Sequence, residues 1–140
     1  MQVQYLTSAC VKIIHDKTTI LCDPWLIDGE YYGSWAHYPP FDFNPKNFDD
    51  IDYIYISHQH PDHFSIKTLS KLNKKIPVYI HSYHYKFLKP QIENLGFSVT
   101  ELNHNERIRL KNDLFINILA ADNCNPELCY KFFGCGIILK

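Results

Sequence analysis

Residues 56–64 read ISHQHPDHF. Three imidazoles and a carboxylate stand at His58, His60, Asp62 and His63. These are the ligand types that borderline divalent metals prefer. In extended backbone, residues two apart project to the same side, so His58 and His60 can reach one ion. Pro61 bends the chain, and Asp62 and His63 then face the same pocket from another angle. The set suits one or two divalent ions, with zinc the leading candidate and iron or manganese the alternatives. Ordinary hydrogen-bonding histidines are the other reading. That reading is the default for the isolated His81, His84 and His104, but not for four ligand-type side chains at one strand end.

The elements around the cluster decide how it is held. Directly before it, IDYIYIS is apolar on both alternating faces, Ile54 and Ile56 on one and Tyr53 and Tyr55 on the other. That is the pattern of a strand covered on both sides. Upstream, VQYL forms a short strand, and CVKIIH and TTILC around DKT form a hairpin. Pro24 cannot donate to a ladder, so the second arm stops at or before Asp23. The following stretch, IDGEYYGSWAHYPPFDFNP, is long, irregular and aromatic. A connection of that length is uncommon in a compact domain unless it serves a site. Its His37 and Tyr38 are candidate substrate contacts, the alternative being a loop whose aromatics cover the core.

After the cluster, SIKTLSKL reads as a helix with Ser65 as N-cap and Ile66, Leu69 and Leu72 at helical spacing. IPVYIH is a strand. SYHYKFLKPQIENLG is helical, started afresh near Pro90 and stopped by Gly96. FSVTEL, ERIRL and LFINILA are strands, and the terminal GIILK enters another. This order predicts a layered α/β or α+β domain with helices covering sheet faces.

At 140 residues, with 46% apolar and 15% aromatic side chains, the chain can build one real core, which excludes disorder. Fourteen basic against 15 acidic residues, scattered, speak against a nucleic-acid or membrane-surface partner. No signal peptide or membrane span is visible. An odd count of five cysteines then fits reduced thiols in the cytoplasm. Cys124, Cys129 and Cys135 are spaced too widely for a zinc-ribbon or iron–sulfur set and read as structural thiols.

HQHPDH behind IDYIYIS, with the earlier hairpin ending in ILCDPWL, resembles the metallo-β-lactamase superfamily. The resemblance implies an α+β fold, an αββα sandwich with its site at the edge between two sheets. It implies His58 and His60 as ligands of one metal and Asp62 and His63 as ligands of a second. Asp62 would also be catalytic, orienting the attacking water, with Asp23 a supporting residue. The implied function is a metal-dependent hydrolase that uses a metal-bound hydroxide on an ester, lactone or phosphodiester of a small molecule.

DPWL, GSWAHYPP, ISHQHPDHFS and ADNCNPELCYKFFGC together resemble the branch of sugar-nucleotide hydroxylases that includes CMP-N-acetylneuraminate hydroxylase. There, a Rieske iron–sulfur domain accompanies the metallo-β-lactamase-like one. The alternative function is therefore the substrate-side domain of such a hydroxylase, and a third is a non-catalytic metal-binding remnant. Family members take further ligands from their second half. Here Asp122 is the nearest ligand-capable residue, beside Asn123 and Cys124. Residues 1–140 are thus expected to form a single truncated domain, incomplete at the C-terminus. A second chain or a missing C-terminal segment would complete it, and the chain alone should show low or no turnover.

Overall fold

The computed structural model describes residues 1–83, 86–120 and 135–139, the side chains of Ala120 and of 135–139 excepted. The alternating N-terminal segment folds into an antiparallel meander of β1 (Gln2–Thr7), β2 (Cys10–His15) and β3 (Thr18–Cys22). Asp16 turns the hairpin at φ +51°, a left-handed conformation that Asp tolerates because its short side chain bonds locally. Three parallel strands then extend the sheet in the order β1-β2-β3-β4-β5-β6, with β4 at Tyr53–Ile56, β5 at Val78–His81 and β6 at Val99–Leu102. Parallel neighbours need crossovers: the long 23–52 connection joins β3 to β4, α1 (Ile66–Lys71) lies between β4 and β5, and α2 (Leu88–Asn94) between β5 and β6. A second, antiparallel sheet holds β7 (Arg107–Arg109), β8 (Phe115–Ala120) and β9 (Cys135–Leu139).

The alternation along β4 sorts the core into two. Ile54 and Ile56 join Val78, Ile80, Leu69, Leu72, Leu88 and Ile92 under the helices. Tyr55 joins Ile20, Cys22, Leu102, Leu114, Ile116 and Ile118 between the sheets. The layers run helix, sheet, sheet, and the fold is α+β. These are three layers of an αββα sandwich. Full burial of a Leu or Ile side chain contributes about 1.5–3 kcal/mol, so both faces of the large sheet are tied down mainly by apolar contact.

Helix ends follow the expected chemistry with one adjustment. Ser65 caps α1, its Oγ accepting from Thr68 N–H at 3.1 Å. Gly96, at φ +93°, ends α2 in the left-handed turn that glycine adopts without strain. The helix expected over 82–96 begins only at Leu88, and residues 82, 83, 86 and 87 are not helical. Pro90 lies in the first turn, where its missing N–H leaves no bond unmade; a helix running through it would lose one. Cys10 and Cys22 are free and buried, and burial pushes both thiols well above the usual range, as structural thiols should be. Cys135 opens β9, and Cys124 and Cys129 lie outside the described residues. No helix among the described residues is long and apolar enough to cross a membrane.

Candidate metal centre

Strands β3 and β4 are parallel neighbours in register Cys22↔Tyr55, so the chain leaves both at one sheet edge. Asp23 follows β3 and Ser57 follows β4. Asp23 N–H still donates to the Tyr55 carbonyl at 2.9 Å before the backbone swings to φ +47° and into Pro24. That swing aims the Asp23 carboxylate back at the second strand end. Its Oδ1 accepts from Ser57 N–H at 2.7 Å, and its Oδ2 accepts from Ser57 Oγ–H at 2.8 Å and from His63 Nδ1–H at 2.9 Å. Ser57 Oγ also lies 2.9 Å from His58 Nδ1 and 3.2 Å from His63 Nδ1. From the other side, the Tyr83 hydroxyl donates to the Ser57 carbonyl. Asp23, Ser57 and His58 are all buried.

The turn itself closes tightly. His63 and Phe64 N–H groups both donate to the His60 carbonyl, at 2.9 and 2.7 Å. The predicted ligands come together as two pairs. His58 Nε2 lies 3.1 Å from His60 Nδ1, and Asp62 Oδ2 lies 3.5 Å from His63 Nε2. His58 and His63 rings stand 4.0 Å apart between centroids. Two nitrogens about 2.0–2.1 Å from a tetrahedral zinc are about 3.3 Å from one another, so each pair spans about one edge of a coordination shell. Among the described residues, however, no three His, Cys, Asp or Glu side chains form a ready cage. Asp122 lies outside the described residues.

Electrostatics separate the histidines. Burial, then the neighbouring His63 and His60, lower His58 to about 4 against the opposing pull of Asp23 and Asp62. It is therefore neutral at pH 7, the form that ligates metal. Burial also depresses His63, but its hydrogen bond to Asp23 and the charges of Asp23 and Asp62 outweigh that and raise it.

The loop after β3 is fastened at its base. Leu26 N–H donates to Thr68 Oγ1 at 2.9 Å, and Ser65 Oγ–H donates to Glu30 Oε1 at 2.7 Å, tying it to α1. His37 is buried against Trp25, ring centroids 4.1 Å apart. Its Nδ1 meets Asp28 Oδ1 at 2.5 Å and its Nε2 the Trp25 carbonyl at 3.1 Å. The His37 backbone N–H, then its ring, hold Asp28 below the usual carboxylate range. Tyr38 is fully exposed. His81 bonds the Leu102 carbonyl at 3.1 Å, His104 is exposed, and His84 lies outside the described residues. The sequence reading passed over Ser57 and Tyr83. The signal for Ser57 was its place as the one hydroxyl between a buried apolar strand and the ligand run.

The chain is similar to known proteins in sequence and fold. A family model described as a beta-lactamase superfamily domain matches residues 2–126. Cytidine monophosphate-N-acetylneuraminic acid hydroxylase of Xenopus laevis is 41% identical over 85 residues, covering 57% of this chain and 14% of that protein. An isothiocyanate hydrolase from Delia radicum gut bacteria superposes with a TM-score of 0.73 at 16% identity, over 100% of this chain and 58% of the other. CmlA, a diiron beta-hydroxylase from Streptomyces venezuelae, does so with a TM-score of 0.59 at 26% identity, over 84% and 23%. The chain thus spans a small part of the hydroxylase it matches and a little over half of the hydrolase. Matched along most of its length, the chain belongs to the beta-lactamase superfamily.

Proposed function

We propose that the turn after β4 holds divalent metal and that the chain is the metal-holding domain of an enzyme of the sugar-nucleotide hydroxylase type, acting on a small molecule. The observation that carries the metal reading is the 3.1 Å approach of His58 Nε2 to His60 Nδ1. A buried imidazole, His58, and an exposed one, His60, with facing nitrogens at that distance have the spacing of two ligands on one ion. The donor types fit: His58 and His60 would hold one ion and Asp62 and His63 a second, with Asp122, which lies outside the described residues, as a proposed further ligand. Iron, zinc and manganese all accept such nitrogen and oxygen donors.

A metal bound there supplies Lewis acidity and acidifies water. The chain supplies the rest. His58 stays neutral at pH 7 and ready to ligate. Asp23 orients His63 through Nδ1, the carboxylate–histidine arrangement that fixes a ligating ring. Asp62 would hold metal beside His63, and in a hydrolytic reaction its carboxylate would also accept a hydrogen bond from the attacking water and orient it. His37 fixes the aromatic loop through Asp28 and Trp25, and Tyr38 is left exposed to meet substrate.

The 41% identity to a hydroxylase favours the hydroxylase reading over the hydrolase one, since likeness to the hydrolase at 16% identity carries the fold alone. The hydroxylase reading brings a Rieske iron–sulfur partner as electron source and iron as the resident metal. A zinc hydrolase is the second reading, since the His58, His60, Asp62 and His63 donor set suits zinc as well as iron. The free Cys10 and Cys22 thiols fit a reducing, cytoplasmic setting.

Elemental analysis of the purified chain against His58→Ala plus His60→Ala tests the centre. Stoichiometric metal in the wild type and its loss in the double variant are expected; equal metal in both overturns the assignment. Loading with ferrous iron or zinc separates the readings. Tight retention of iron supports the hydroxylase, whereas zinc-dependent cleavage of an ester or phosphodiester by the chain alone overturns it.

A further inference from the structure

Ser57 has one hydrogen to give and three polar neighbours: Asp23 Oδ2 at 2.8 Å, His58 Nδ1 at 2.9 Å and His63 Nδ1 at 3.2 Å. A carboxylate only accepts, so an oxygen pair at 2.8 Å needs the Ser57 hydrogen between them. With that hydrogen committed, Ser57 Oγ can only accept from His58. His58 therefore carries its proton on Nδ1. His63 Nδ1, 2.9 Å from the same Asp23 Oδ2, likewise donates. Both rings are left with a bare lone pair on Nε2, the nitrogen that faces the ligand side: His60 for His58, Asp62 for His63.

We propose that Ser57 is a positioning residue that passes the acceptor character of Asp23 on to His58 and so sets which nitrogen of that ring can bind metal. This rests on the metal-centre reading above for its purpose, but not for its geometry. One consequence follows for His60. If His58 Nε2 carries no proton, the 3.1 Å contact takes its hydrogen from His60 Nδ1. For His60 to ligate through Nδ1, that proton must move to Nε2, a change of tautomer with no net release of protons. The 83–57 contact supports the arrangement: Tyr83 holds the Ser57 carbonyl, so the serine is gripped from strand and loop alike.

The test uses the full chain with ¹⁵N-labelled histidine, freed of metal and held at alkaline pH where the imidazoles are neutral. Long-range ¹H–¹⁵N correlation spectra report the tautomer of each ring. The Nδ1–H form is expected for His58, His60 and His63. In Ser57→Ala, His58 should lose that preference and populate Nε2–H, while His63, still bonded to Asp23, keeps it. Ser57→Thr, which retains a hydroxyl, should restore the wild-type pattern. Competition with a chelator should show metal bound about 10–100-fold more weakly by the alanine variant, the usual cost of losing a group that orients a ligand, and restored by threonine. A wild-type His58 in the Nε2–H form overturns the proposal, as does an alanine variant with unchanged tautomers. If the tautomers behave as expected but the wild type binds no metal, the positioning stands and the metal-centre reading falls.

Discussion

Two segments leave the same sheet edge from adjacent strands and behave oppositely. After β4, the 57–64 turn is short, and its polar side chains face inward on one another. After β3, the segment from Asp23 to Asn44 is long. It is buried at its base, where Leu26, Trp25 and His37 pack, and exposed at its tip, where Tyr31, Tyr32 and Tyr38 stand in solvent. The short turn gains order from a dense set of hydrogen bonds closed over a few residues. The long loop gains it at a few anchor points and is a hairpin beyond them, bridged at Glu30↔Trp35. Chemistry that needs side chains held within fractions of an ångström belongs on the first kind of segment, and contacts that adapt to a ligand belong on the second.

If that contrast is right, the base of the long loop should be costly to disturb. Leu26 is 1% exposed and sits where the loop is stitched to α1. Leu26→Ala should destabilise the chain by about 2–5 kcal/mol, the range for emptying a buried leucine site. Urea unfolding measures it, and a cost under about 1 kcal/mol would mean that the base is not core at all.

The stitch between the two segments should come next in size. Ser65 Oγ accepts from Thr68 N–H and donates to Glu30, so one hydroxyl caps α1 and anchors the long loop. Ser65→Ala should cost about 0.5–2 kcal/mol, as cap removal does. Glu30→Ala alone should cost less, and the double variant should show a coupling of about 0.5 kcal/mol or more. Additive costs would show that the cap and the loop anchor act separately.

The contrast also explains what could be seen in the sequence. The short turn was legible because its information is local. The i, i+2 spacing of His58 and His60, the alternation of Tyr53, Ile54, Tyr55 and Ile56, and the Ser65 cap each depend on a few neighbouring residues. The end of β3 before Pro24 and the helix over 66–71 follow from the same short-range patterns. Ser57 was not legible as a hub, because its carboxylate partner is 34 residues away and reaches it only through the parallel register of β3 and β4. The use of both His37 nitrogens is hidden for a related reason: it depends on how the loop folds back over Asp28 and Trp25, which no periodicity announces. The start of α2 at Leu88 was half legible, since Pro90 marks a boundary without saying on which side the helix resumes.

The smallest effect should appear at the loop tip. Tyr32 is fully exposed, and its ring meets Tyr31 edge-on with centroids 5.7 Å apart. Both residues sit at positive φ, +49° for Tyr31 and +58° for Tyr32, a conformation that costs any residue with a Cβ about 1–2 kcal/mol. Alanine keeps the Cβ, so Tyr32→Ala leaves that cost in place and removes only an exposed ring. Its effect on stability should stay within about 0.5 kcal/mol, the range for surface substitutions away from special features. Metal content should not change, because nothing in the 57–64 turn touches this ring. A loss above about 1 kcal/mol would place the tip in a packed environment. A loss of metal with stability intact would tie the tip to the centre and collapse the distinction between the two segments.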